Sequence, residues 1–214
     1  MRAVLLPALR VTLVTWALCG IAYPLVVTGL GQWLLPGQAN GSLLRKADGT
    51  VIGSQLIGQD WTGPEWFRGR PSATTAVDPD NPDKTVNSPY NAAASGGSNL
   101  GPTSRGLAER LGADRKAAET ENPELVDRPL PSDMLTSSGS GLDPDISPAY
   151  ALLQARQVAA ARGLTTDQVT ALIRKDIVGR ALQVFGEPRV NVLRLNLDLQ
   201  EMTRVAGAKG LHQR

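Results

Sequence analysis

From Val11 to Leu35 the chain runs VTLVTWALCGIAYPLVVTGLGQWLL, without a single charged side chain. No other feature limits the fold so sharply. Wound as a helix at ~1.5 Å per residue, this run is about 37 Å long, against ~30 Å for the hydrocarbon core of a bilayer. It predicts one transmembrane helix over 11–35, tilted or with an interfacial end. Trp33 suits the headgroup belt. Pro24 has no N–H and its ring would meet the Gly20 carbonyl, which predicts a bend. A cleaved signal peptide is the competing reading, but its apolar stretch is usually ~7–15 residues, and no small-x-small cleavage site follows this one. Nor does Trp16-Ala17-Leu18 offer Cys19 the small neighbour of a lipoprotein signal. Arg2 and Arg10 place residues 1–10 in the cytoplasm. Residues 36–199 then form an extracytoplasmic soluble domain, and 200–214 a tail.

Composition narrows the soluble part. Lys and Arg total 22 against 20 Asp and Glu, a net charge of +2, so no basic stripe argues for nucleic acid. Cys19 is the only cysteine, which rules out an intramolecular disulfide and a structural zinc cluster; no metal is expected. The only histidine, His212, lies at an end that should fray and is a poor member of a Ser-His-Asp triad. With 22 Gly, 15 Pro and 4% aromatics, the domain should be loop-rich around a modest core of Leu, Val, Ile and Ala.

Local signals divide that domain. Asp48-Gly49 between Leu43–Lys46 and Val51–Ser54 predicts a hairpin with a type I′ turn. Residues 60–104 are rich in turn formers and lack clear periodicity, although Trp61, Trp66 and Phe67 argue for order in their first part. Arg105–Thr120 has helical character, with Leu107 and Leu111 on one face. A second loop follows up to Ile146. Ser147 as N-cap, Pro148 at the first position and Gly163 as terminator frame a helix. Thr165 and Gln168 make a capping box for the next, with Val169, Leu172 and Ile173 as its buried stripe. Leu193, Leu195, Leu197 and Leu199 alternate with polar residues, which predicts a half-buried strand. Strands at both ends with helices between them predict an α+β fold.

Several short stretches invite chemistry. Asp83-Lys84-Thr85 looks like a phosphorylated-aspartate motif, but Val86-Asn87 follow where Gly-Thr should, in a loop without a preceding strand. Ser95-Gly96-Gly97-Ser98-Asn99 could offer backbone N–H groups to an anion, or simply form a turn. Phe67-Arg68-Gly69-Arg70-Pro71-Ser72 is either a docking patch for carboxylates or carbonyls, or a solvated loop with an Arg stacked on a Trp. Asp143 and Asp145, after Gly139-Ser140-Gly141, could meet a cation, though capping and turn chemistry accounts for them better. Gln154 and Arg156 are polar positions in an otherwise small, apolar helix. A Ser-Lys hydrolase using Ser72 or Ser95 with Lys84 or Lys46 finds no supporting spacing.

Taken together, YPLVVTGLGQWLLPGQANGSL (23–43), GSQLIGQ (53–59), FRGRPSA (67–73), YNAAASGGSNLGPTS (90–104), TSSGSGLDPDISPAYALLQARQVAAARGLT (136–165) and GEPRVNVLRLNLDL (186–199) carry a resemblance. The chain resembles the C-subunit family of Kdp potassium-transporting P-type ATPases (KdpC). That resemblance implies a non-catalytic accessory subunit of the cell inner membrane, bound to a potassium-channel-like subunit and an ATP-hydrolysing subunit. It also implies a catalytic chaperone that raises the ATP affinity of the ATP-hydrolysing subunit, with ATP as the cofactor and Gln154 and Ser95, Gly96, Gly97 and Ser98 as the matching positions. The topology argument points elsewhere: a domain outside the inner membrane meets almost no ATP, and Gln154 there serves an inter-subunit or structural contact. A membrane-tethered domain that binds a solute or ion is the alternative function.

Overall fold

The structure is a computed structural model, and it describes residues 2–46 and 48–211, with side chains placed for 4–46 and 48–205. His212 lies outside the described residues. The chain divides into two units, Met1–Ser54 and Gln55–Arg214.

The first unit is a long helix with a small appendage. Helix α1 (Arg2–Ala17) passes through a π turn (Leu18–Ala22) into α2 (Tyr23–Leu34). Val4–Leu34, 31 residues, is long and apolar enough to cross a membrane. The helix starts well before the uncharged run because Arg10 interrupts the apolar composition without breaking any backbone hydrogen bond. The disturbance expected at Pro24 takes the form of the π turn. Tyr23 N–H donates to Leu18 O, five residues back, in the turn just before the proline that has no N–H to give. Short α3 (Pro36–Ala39) follows, and Asn40 ties it to the helix end by donating to Gln32 Oε1 and Pro36 O.

Strands β1 (Leu43–Arg45) and β2 (Val51–Ser54) form the expected hairpin. Its turn is not type I′. Gly49 takes φ +85°; Lys46 N–H donates to Thr50 O, and the Asp48 carboxylate accepts from Thr50 N–H. Three residues therefore separate Lys46 from Thr50, one more than a two-residue I′ loop allows.

In the second unit the core is built by three helices and a three-stranded antiparallel sheet. Helix α4 (Arg105–Glu121) and short α5 (Ser132–Leu135) precede strand β5 (Asp145–Ile146). Then come α6 (Pro148–Arg162), α7 (Thr166–Asp176), β6 (Ile177–Val178), β7 (Arg189–Asn191) and α8 (Val192–Leu211). The hairpin β3 (Thr75–Asp78) and β4 (Asn81–Asn87) stands earlier in the chain. The mixture is α+β. In the sheet, β7 lies between β5 and β6, so fully buried Val190 pairs with Ile146 on one side and Ile177 on the other.

The caps form as the local chemistry dictates. Ser147 Oγ accepts from Tyr150 N–H at 3.1 Å, and Gly163 ends α6 at φ +65°. Thr165 and Gln168 complete the capping box of α7. The small residues Ala151, Ala155 and Ala159 let α6 approach α7 closely, where Val169, Leu172 and Ile173 are buried. Each large apolar side chain buried here contributes about 1.5–3 kcal/mol.

Two further expectations are overturned. Leu193–Leu199 is not a strand: it opens α8, and the buried positions are Val192, Leu193, Leu195, Asn196 and Leu199, a helical period rather than alternation. The same helix continues past Leu199, so at least the first part of the tail is helical. Asp83-Lys84-Thr85 lies on β4, with β3 before it, and not in a loop. That hairpin leaves most of its side chains exposed.

Candidate functional site

The residues around Phe67-Arg68-Gly69-Arg70 form an extended strap that most of the candidate groups touch. Successive residues of an extended chain point their backbone groups to opposite sides. On one side, Asn196 of α8 accepts from Phe67 N–H and donates to Phe67 O, both at 2.9 Å. On the other, Gln154 of α6 accepts from Arg68 N–H at 2.7 Å and donates to Arg68 O at 3.2 Å. Each amide imitates the neighbouring strand that the strap lacks. Phe67 and Asn196 are fully buried.

Both strap arginines find partners within the domain. Arg68 pairs with Glu121 at the end of α4 at 2.6 Å. Arg70 reaches Asp143 at 3.2 Å and the Thr136 and Ser137 carbonyls. The arginine stacked on a tryptophan is a third one, Arg162, 4.1 Å from the centre of the Trp66 ring, while Trp61 and Trp66 pack 4.9 Å apart. Tyr90 donates to Arg70 O at 2.7 Å. Its ring fills the space beside Gly69, where an added Cβ would collide with the phenol oxygen.

A cavity of about 210 Å³ opens between α4 and α6, lined by Arg68, Glu121, Tyr150 and Gln154 among others. A second, of about 670 Å³, is lined by Trp61, Arg70, Tyr90, Ser98, Arg110 and Tyr150. Burial pushes the Tyr150 phenol up to about 12, with the Arg68 charge opposing. Burial drives Tyr90 well above its ordinary value too, aided by nearby Tyr150 and Asp143. Both phenols stay protonated and act as hydrogen-bond groups.

The Ser95-Gly96-Gly97-Ser98 loop is paired with the Gly139-Ser140-Gly141 turn. Gly96 N–H donates to Ser140 O at 2.8 Å, and Ser95 Oγ donates to the same carbonyl at 3.0 Å. Gly141 sits at φ +66°, and a Cβ on it would lie 2.6 Å from Gly96 O, so only glycine fits that turn. Ser98 lines the larger cavity and Gln154 the smaller. The structure thus places the two family-matched stretches on neighbouring cavities rather than in one.

Other candidates settle into the scaffold. Ser72 Oγ donates to Gly141 O at 2.7 Å and accepts from Tyr90 N–H, so it closes a loop network. Asp145 pairs with Arg189 at 2.9 Å and accepts from Asn191; burial raises its carboxyl above the ordinary value. Asp143 pairs with Arg70 and accepts from Asp145 N–H. These carboxylates serve turn and ion-pair chemistry. Arg156 pairs with Glu124 on the exposed face of α6.

Asn196, Glu121 and Asp133 carry roles that sequence reasoning missed. Asp133 accepts from both the N–H and the hydroxyl of the Ser147 cap. Its only local trace was a carboxylate in a loop.

The sequence matches the family described as K+-transporting ATPase, c chain, over residues 5–201. It is 54% identical over 198 residues to a potassium-transporting ATPase KdpC subunit of Rhodopseudomonas palustris strain BisB5, covering 92% of this chain and 96% of that one. The KdpC subunit of Methylorubrum extorquens is 52% identical over 92% of this chain and 96% of its own. That of Bradyrhizobium diazoefficiens is 53% identical over 90% and 94%. With a match over nearly its whole length and relatives above half identity, the chain belongs to the KdpC family of potassium-transporting ATPase subunits.

Proposed function

We propose that this chain is a non-catalytic accessory subunit of a high-affinity, ATP-driven potassium uptake system. Its single N-terminal helix anchors it in the cell inner membrane, with residues 1–10 in the cytoplasm and the second unit outside. There it assembles with a potassium-channel-like subunit and an ATP-hydrolysing subunit and stabilises their complex. The observation that carries the reading is the family match over residues 5–201, joined to a 31-residue apolar helix that overlaps its start. Arg2 and Arg10 support the orientation.

An influence on the ATP affinity of the ATP-hydrolysing subunit then acts through docking, not through ATP bound on this chain. Gln154 supports that reading because both ends of its amide are engaged by the Arg68 backbone. Ser95–Ser98 supports it because Gly96 N–H is engaged by Ser140. In the solute-binding alternative the larger cavity would be the site; binding of a small solute by the purified second unit is its test.

Orientation is tested with Cys19→Ser and Ser98→Cys in intact cells. A membrane-impermeant thiol reagent should label the reporter from outside. Labelling only after the inner membrane is opened would overturn the proposed orientation and return Gln154 and the Ser95–Ser98 loop to the cytoplasmic ATP pool.

A further inference from the structure

The connection between β6 and β7 ends in the most exposed apolar cluster of the second unit. Leu182, Val184 and Phe185 are 85%, 69% and 65% exposed. Such a cluster would collapse onto the domain if its backbone were free to turn. Here it is held out: Ala181 and Phe185 exchange both backbone hydrogen bonds, at 2.8 and 2.9 Å. Leu182 and Gln183 both stand in the left-handed region, at φ +52° and +65°. Two adjacent non-glycine residues there are strained, and a bulky Leu is a clear outlier. At the base, Arg180 grips both carboxylate oxygens of Glu187, at 3.0 and 2.7 Å.

We propose that residues 181–185 form a rigid knob that seats in an apolar socket on another protein chain of the pump. This rests on the accessory-subunit reading above and names the docking element. Rigidity favours a protein socket, since a fluid bilayer accommodates any shape and gains nothing from a strained backbone. Charge points the same way. Elements that lie on anionic membranes present free Lys and Arg, whereas Arg180 is neutralised by Glu187 and Arg189 by Asp145. A second copy of this chain is the poorer occupant: the knob offers a few hundred Å², roughly, where a stable interface buries about 1,200–2,000 Å² in total. That area suits one anchor within a larger contact.

The test uses tagged full-length chain expressed with the other chains of the pump and purified from membranes, with captured chains identified by mass spectrometry. Leu182→Gly combined with Phe185→Ser should lower co-purification of the pump chains about tenfold. Gln183→Gly keeps the apolar side chains and should stay within about twofold. Unfolding of the full chain in detergent controls for folding. Leu182→Gly should not lower stability, because glycine accepts the left-handed conformation, and Val184→Asn provides a second knob variant.

Wild-type chain that captures no other pump chain would overturn the subunit reading itself. Wild type and folded knob variants capturing equally would overturn the knob and leave that reading standing. Knob variants that lose only binding to protein-free anionic vesicles, or only self-association, would overturn it in favour of lipid or of a second copy.

Discussion

Two amide side chains hold adjacent residues of the same strap, one from α8 and one from α6, in very different surroundings. Asn196 is fully buried and Gln154 is half-buried on a cavity wall. Their hydrogen bonds are alike, two each, to the N–H and C=O of one residue. What differs is the access of water once an amide is gone. A backbone group orphaned beside Asn196 has no substitute partner, whereas one orphaned beside Gln154 can be solvated from the cavity. The α8 side of the strap is therefore foundation and the α6 side is adjustable, which is where a docking surface can afford to move.

The largest expected effect follows from the buried side. Asn196→Leu keeps the branching and number of side-chain heavy atoms and removes both bonds, leaving two buried backbone groups unpaired at about 1–3 kcal/mol each. Urea unfolding of the full chain in detergent should show a loss of about 3–5 kcal/mol. A loss below about 1 kcal/mol would mean that the strap finds other partners, and the comparison fails. Gln154→Ala should be milder, about 1–2 kcal/mol, with the midpoint shifted and the slope unchanged. If the two variants cost the same, water does not reach the Gln154 side and the cavity plays no part in the difference.

The same pair explains what could be read in advance. The caps at Ser147, Gly163 and Thr165 are local, with partners three or four residues away, so their residue types suffice. The strap depends on partners 86 and 129 residues distant, a separation that leaves no local trace. Asn196 also hid α8. A helix reading needs position 196 on the buried stripe beside Val192 and Leu199, but an Asn counts as polar in any hydropathy pattern. Leu193, Leu195, Leu197 and Leu199 then alternate at strand period. The residue that holds the strap removed the sign of its own helix. The knob at 181–185 was equally silent, because nothing in Ala-Leu-Gln-Val-Phe announces a left-handed turn, a conformation usually marked by Gly or Asn.

The smallest effect concerns a buried polar group that lacks what Asn196 has. Asp176, in the last turn of α7, is 8% exposed, and its Oδ2 has no hydrogen-bond partner among the described residues. Burial raises its carboxyl above the ordinary 3.8; Asp198 pushes the same way, while Lys175 and Arg194 oppose. The exposed carbonyls of the helix end also disfavour an anion there. With the folded value above the unfolded one, the folded state holds its proton more tightly. Stability therefore falls as pH rises from the ordinary carboxylate value to the raised one, and the deficit persists at higher pH. Asp176→Asn carries no such deficit. Its advantage over wild type in urea midpoint should be small near about pH 4 and reach its full size by about pH 8. An advantage that is flat across that range would show that the gain comes from packing or a new hydrogen bond. An advantage that shrinks with rising pH would mean that the Asp176 carboxylate is stabilised by the fold, and that an unpaired oxygen beside Asp198 costs less than Lys175 and Arg194 return.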